Sequence, residues 1–178
     1  MDSNYNRAYY VMVTYLWALF IAASFNYLTA LTIFHPNPIA TVEYLSLRDL
    51  TTNRDLKSDQ ANINFALSYD LTSEFNWNCK QLYFSVVAVY ESPKKPRNEV
   101  TIYDLIIEDI DQAKTATVKE LVNEYPIRDQ FKETLLNAQV QLKVYVDRLP
   151  IFGFAETKLI AESATFVLPA EYKRLTRK

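Results

Sequence analysis

The chain has 178 residues, a net charge of −2 from 19 Lys and Arg against 21 Asp and Glu, and an aromatic content of 14% with 13 tyrosines. The charge balance argues against an electrostatic nucleic-acid binder, and a single glycine, Gly153, excludes a glycine-rich phosphate loop or dinucleotide fingerprint. One histidine, His35, and one cysteine, Cys79, leave a histidine–cysteine metal site without ligands and the chain without an internal disulfide.

In chain order, the first element is YVMVTYLWALFIAASFNYLTALTIF, Tyr10 to Phe34, which carries no charged side chain; after Arg7 none occurs until Glu43. A helix crossing a hydrocarbon core of about 30 Å needs roughly 20 apolar residues, whereas a removable secretion signal has an apolar region of roughly 7 to 15. The length argues for a retained anchor over residues 9–34 behind a short tail over 1–8. The small pair Ala22 and Ser24 supports the other reading, a cut that leaves a mature chain beginning near Phe25. Arg7 holds the tail on the cytosolic side, since no basic residue opposes it before Arg48. Residues 35–178 then face a lumen or the exterior as a single-pass type II protein, and the small charge bias leaves a cytosolic domain as the alternative. Tyr5, Tyr9 and Tyr10 suit an interfacial aromatic belt, and His35-Pro36-Asn37-Pro38 stops the helix. Asn26, in the second half of the span, suits either a bond to a neighbouring helix or a place near the interface.

The remainder is long enough for one domain with a core, and it reads as strands. One is expected over Thr41 to Leu50. In NINFALSYDLT, Ile63, Phe65, Leu67, Tyr69 and Leu71 alternate with polar residues, the period of a strand with one wet face. QLYFSVVAVYE, from Gln81, is apolar on nearly both sides, as in a central strand covered on two faces. PKKPRN, Pro93 to Asn98, reads as a charged turn, and EVTIYDLII as the return strand. Thr117 to Leu136 alone looks helical, divided by Pro126. QVQLKVYV alternates Val140, Leu142, Val144 and Val146 with Gln139, Gln141, Lys143 and Tyr145, and a last strand is expected over Glu156 to Leu168, breaking near Glu162. Strands without βαβ alternation or repeats predict a mainly β chain, an antiparallel β-sandwich behind one transmembrane helix.

Chemistry is sparse. A serine–histidine hydrolase would have to use His35, with no third group nominated to hold it. Glu108, Asp109 and Asp111 offer oxygen ligands for calcium, but the spacing of a glycine-turned loop is absent and a solvated turn accounts for them. Cys79 reads as a buried free thiol, and the basic tail Lys173, Arg174, Arg177 and Lys178 as a solvated end. Phe152 and Phe154 flank Gly153 on a loop, where they either enter a partner or a lipid surface or pack under the sandwich.

FNWNCKQLYFSVVAVY, Phe75 to Tyr90, resembles the signature of the signal peptidase complex subunit 3 family through Phe75, Trp77, Asn78, Lys80, Gln81 and Leu82, followed by an apolar strand. The order of features around it is similar too: a short tail, one anchor, the lead-in DLTSEFNWN, the return strand with Tyr103-Asp104, and the closing FVLPAEY from Phe166 to Tyr172. The chain departs from the pattern near Gln139-Val140-Gln141, where many relatives carry an N-x-S/T sequon and this sequence has none. The resemblance implies a non-catalytic subunit of the endoplasmic-reticulum enzyme that removes signal peptides, with another membrane subunit supplying the catalytic serine and its base. It also implies small membrane subunits as partners, no cofactor and no catalytic residue in this chain. Phe75, Trp77 and Leu82 are expected as core anchors. Trp77, Lys80, Phe152 and Phe154 are the candidates for partner contact. A secreted or anchored sandwich binding a ligand unrelated to proteolysis is the rival reading.

Overall fold

The computed structural model describes residues 3–53, 58–92 and 95–173. Helix α1 spans Asn4–Ile33, capped at its start by Ser3, whose hydroxyl accepts the Asn6 N–H at 3.4 Å. It ends just before the His-Pro-Asn-Pro stretch that cannot continue it. Apolar side chains line nearly every side of α1 and stay exposed: Val11, Tyr15, Trp17, Ile21 and Phe25 are each more than half exposed. A helix that is apolar all round and uncovered by protein is built for a hydrocarbon solvent.

The rest folds into two antiparallel sheets, as the alternation predicts. In the first, β1 (Ile39–Asn53) pairs with β2 (Ser58–Asp70), whose other edge takes β5 (Ala116–Val122) and β6 (Ile127–Asp129). In the second, β4 (Lys95–Ile107), β3 (Cys79–Ser92), β7 (Gln139–Pro150) and β8 (Glu156–Glu162) lie in that order, with β9 (Phe166–Val167) also on β7. Ala61, Ile63, Phe65 and Leu67 of β2 face Leu82, Phe84, Val86 and Ala88 of β3 and Val140, Leu142, Val144 and Val146 of β7 in one core, all at most 2% exposed. Leu71, Leu135 and Leu168 close its ends from connecting segments.

Three expectations need correction. Residues 117–136 are not helical: β5 and β6 sit there instead, on the free edge of β2. Between them Asn123 turns its side chain into the ladder, Oδ1 accepting the Ile63 N–H at 2.8 Å and Nδ2 donating to the Tyr125 carbonyl at 2.7 Å. A strand edge in need of partners outweighs the local preference of a Lys-Glu-Leu run for helix. The charged turn is shorter than read, because Lys95 already pairs with Ser92 and Lys95 to Asn98 belong to β4, where an edge position tolerates Pro96; Pro93 and Lys94 lie outside the described residues. Finally, β3 is central in its sheet but only partly covered on its outer face, where Ser85 is buried while Tyr83, Val87 and Val89 are half-buried.

Candidate functional site: the junction of helix and sandwich

The distinctive site of the molecule is where the sandwich meets the second half of α1. A short 3-10 turn, Thr72–Glu74, and the segment through Asn78 bring the chain to the start of β3. The hairpin joining β7 to β8, residues 151–155, lies next to them. Asn78 links the three parts. Its Oδ1 accepts Asn26 Nδ2 of α1 at 3.0 Å and the Phe152 N–H at 3.2 Å, while its Nδ2 donates to the Phe152 carbonyl at 2.9 Å. Its backbone carbonyl accepts the Ile151 N–H at 2.7 Å, and its own N–H is held by Asn76 Oδ1 at 2.8 Å. At 3% exposure this amide is buried, so each of these bonds is shielded from competing water.

Aromatic rings continue the contact along the helix. Phe152 meets Phe20 edge-on at 6.4 Å, Phe154 meets Tyr27 at 6.5 Å and Trp77 meets Phe34 at 6.3 Å between centroids. Gly153 has φ +114°, and a Cβ there would stand 2.3 Å from the Tyr27 ring, so both its conformation and its closeness to the helix call for glycine. The helix answers with its own less exposed side, Ala23, Asn26 and Ala30, spaced three and four apart on one face.

Above this apolar seam lies a charged one. Glu74, whose side chain is 1% exposed, is paired with Arg148 at 3.3 Å and Lys158 at 3.2 Å, and Arg148 also reaches Glu156 and lies over the Phe34 ring at 5.8 Å. Between the seams, Tyr27, Ala30, Asn76, Arg148 and Pro150 help to line a cavity of about 180 Å³. Cys79, the next residue after Asn78, is half-buried, with its Sγ directed at the Gln81 carbonyl at 3.8 Å. Burial pushes this thiol's pKa up, and Glu74 adds to that, while Arg148 pulls it down. A thiol held in its protonated form is a poor nucleophile near neutral pH.

Of the residues singled out by sequence, Phe152 and Phe154 come together on α1 rather than under the sandwich, the latter 82% exposed. Trp77 is not a core anchor: it is 52% exposed and leans on Phe34, whereas Leu82 is fully buried and Phe75 packs against the core. Lys80 is exposed beside them. Asn26 does find a polar partner, but within its own chain. His35 stands exposed in the linker after α1. In the acidic loop, Asp109 Oδ1 accepts the N–H groups of Asp111 and Gln112, and Asp111 pairs with Lys114, so local turn bonds account for these carboxylates. Sequence reading missed Glu74, Arg148, Glu156 and Lys158 as a cluster. The one available signal was charge inside otherwise strand-like alternation at Arg148 and Lys158.

An apolar helix held against an antiparallel sandwich, with Asn26, Thr29 and Thr32 bonded within the chain, defines a membrane-associated β-sandwich protein. The comparisons narrow this class. A family model described as signal peptidase subunit matches residues 1–171, and the chain belongs to that family. Among curated proteins it is similar to signal peptidase complex subunit 3 of Caenorhabditis elegans, 25% identical over 172 residues covering 95% of this chain and 94% of the relative. The Drosophila melanogaster protein of the same name is 30% identical over 116 residues, 65% of this chain and 64% of the relative. That of Saccharomyces cerevisiae is 38% identical over 78 residues, 44% and 42% of the two chains.

Proposed function

We propose that this protein is a non-catalytic subunit of the endoplasmic-reticulum signal peptidase complex, which holds the catalytic subunit at the height where a signal peptide's cleavage site leaves the bilayer. The anchor keeps its N-terminus in the cytosol, in keeping with Arg7, and the sandwich lies in the lumen, docked on the catalytic subunit. Exposed Trp77 and Lys80, beside the junction, are the side chains assigned to that contact. The observation that carries the reading is the Asn26–Asn78 bond with its flanking ring contacts. A domain fixed to its own anchor is a ruler measured from the membrane, and whatever docks on it inherits that height. Misplacing reacting groups by about 1 Å can cost roughly a hundredfold in rate, so a subunit that only positions can still be required.

The test is processing of a secretory reporter in cells whose own copy is replaced. Expressing the chain without residues 35–178, with the catalytic subunit still folded and at normal level, is expected to lower cleavage strongly. Unchanged cleavage overturns the positioning role.

A further inference from the structure

We propose that the tip of the β7–β8 hairpin, residues 151–154, inserts into the lipid leaflet on the sandwich's side of the membrane, so that the domain grips the bilayer at a second point beside its anchor. The inference rests on α1 crossing the membrane, as in the function proposed above, and follows from counting along it. A 1.5 Å rise per residue means that a core of about 30 Å takes up about 20 residues of helix. Any stretch of about 20 residues placed within Asn4–Ile33 includes residues 14–23, wherever its ends fall. Phe20 is therefore inside the hydrocarbon in every placement, and tilting the helix only draws more of it in. Helical side chains also lean toward the N-terminus, which carries the Phe20 ring further from the sandwich's side.

Phe152 is in ring contact with Phe20. The tip of the hairpin thus reaches membrane depth, and its composition agrees: Ile151, Phe152, Gly153 and Phe154 carry no charge, with Ile151 66% and Phe154 82% exposed to whatever surrounds them. In water these side chains would form an unexplained apolar knob; against acyl chains and the interface they are in their natural solvent. The backbone polarity that lipid would penalise is relieved at this tip, because Asn78 takes up the Ile151 N–H and both the N–H and carbonyl of Phe152. Charge begins only beyond it, at Arg148 and Glu156 on the strands. The occupant of this surface is phospholipid, and no further protein is required to cover it.

The experiment is site-directed spin labelling of the full chain in phosphatidylcholine vesicles, in a Cys79→Ser background, with accessibility to oxygen (lipid-soluble) compared with that to a nickel chelate (water-soluble). Labels go on Ile151→Cys and Phe154→Cys, with Ile21→Cys on the helix and Lys119→Cys on β5 as references; all four side chains are exposed, and Ile151→Cys leaves the ring contact of Phe154 with Tyr27 in place, so the reading at 151 checks that at 154. The expected result is an oxygen-to-nickel ratio at 151 and 154 several-fold above that at 119 and approaching that at 21. Lipid exposure at 21 with water exposure at 151 and 154, or with shielding from both reagents there, overturns the insertion while leaving the anchor standing. Water exposure at 21 overturns the anchor and the insertion with it.

Discussion

The two interfaces of this molecule are built from different materials. Between the sheets, contact is apolar and redundant: Phe65, Phe84, Ile63, Leu82 and Leu142 are all fully buried, and each has many neighbours of the same kind. Between sandwich and helix, one pair of amides, three ring pairs and Arg148 over the Phe34 ring hold the parts. The first kind of interface supplies stability and is indifferent to small adjustments. The second fixes orientation, because hydrogen bonds and edge-on rings tolerate little change of angle, while adding little to the free energy of folding. Stability and placement can therefore be altered separately.

The sharpest break lies in the core. Phe84→Ala is expected to cost about 3–5 kcal/mol, read as a fall in the urea midpoint of the full chain in detergent, through lost burial and the cavity left behind. Next comes the charged cluster. Glu74→Ala removes the shared partner of Arg148 and Lys158, with an expected loss of about 2–3 kcal/mol, below the roughly 3–5 for a fully buried pair because both cations keep some access to water. Asn78→Ala strips partners from Asn26 and from both backbone groups of Phe152, for about 1–3 kcal/mol. It is also expected to broaden the spin-label distance distribution between positions 24 and 155, whereas Phe84→Ala in its folded fraction leaves that distribution sharp. Gly153→Ala drives a methyl into the Tyr27 ring at a left-handed φ and is expected to broaden the same distribution while shifting the urea midpoint by less than any of these. If it leaves the distance unchanged, the ring contacts do not set the angle.

The smallest effect concerns pH. Tyr90, Tyr69 and Tyr103 have their pKa values raised, chiefly by burial, and for Tyr90 also by Asp129, to which its hydroxyl donates at 3.3 Å. A raised folded-state value means that the native state keeps protons the unfolded chain has given up. Their stabilisation is full below the ordinary tyrosine value of 10.0 and is lost as pH rises through the folded values. The urea midpoint should thus decline above about pH 10, and Tyr90→Phe should flatten that decline.

The contrast between the interfaces also explains what the sequence disclosed. Alternation in Ile63, Phe65 and Leu67 and in Val140, Leu142 and Val144 is a local signal, written within one strand, and the strands and shared core were readable from it. The long apolar helix was readable for the same reason. Residues 117–136 misled because Lys119, Glu120 and Leu121 carry local helix preference, while the force that makes them a strand is the open edge of β2, some distance away in the chain. The junction was opaque for the same cause in stronger form. Asn26 stood out as an amide within the span and Asn78 as part of the motif beginning at Phe75, but neither the residue types nor their spacing indicates that they meet. Phe152 and Phe154 were visible as a pair flanking glycine, but not what they would rest on.

One feature of the sandwich sets the order in which it can be made. Tyr172 donates its hydroxyl to buried Asp59 at 2.9 Å, and Lys173 exchanges backbone bonds with Leu50, so β1 and β2 are tied to residues synthesised more than a hundred positions later. Leu168 fills the core from the same late segment. At about 5–20 residues per second of translation, a ribosome spends several seconds between delivering β2 and delivering the segment that seals it. Throughout that interval α1, made before every strand of the sandwich, is already complete. The hairpin that touches α1 is also complete before the seal, since its residues precede Leu168 in the chain. Attachment to the helix can therefore be established while the sandwich is still open, and the last event of folding becomes the closing of a domain whose position is already chosen.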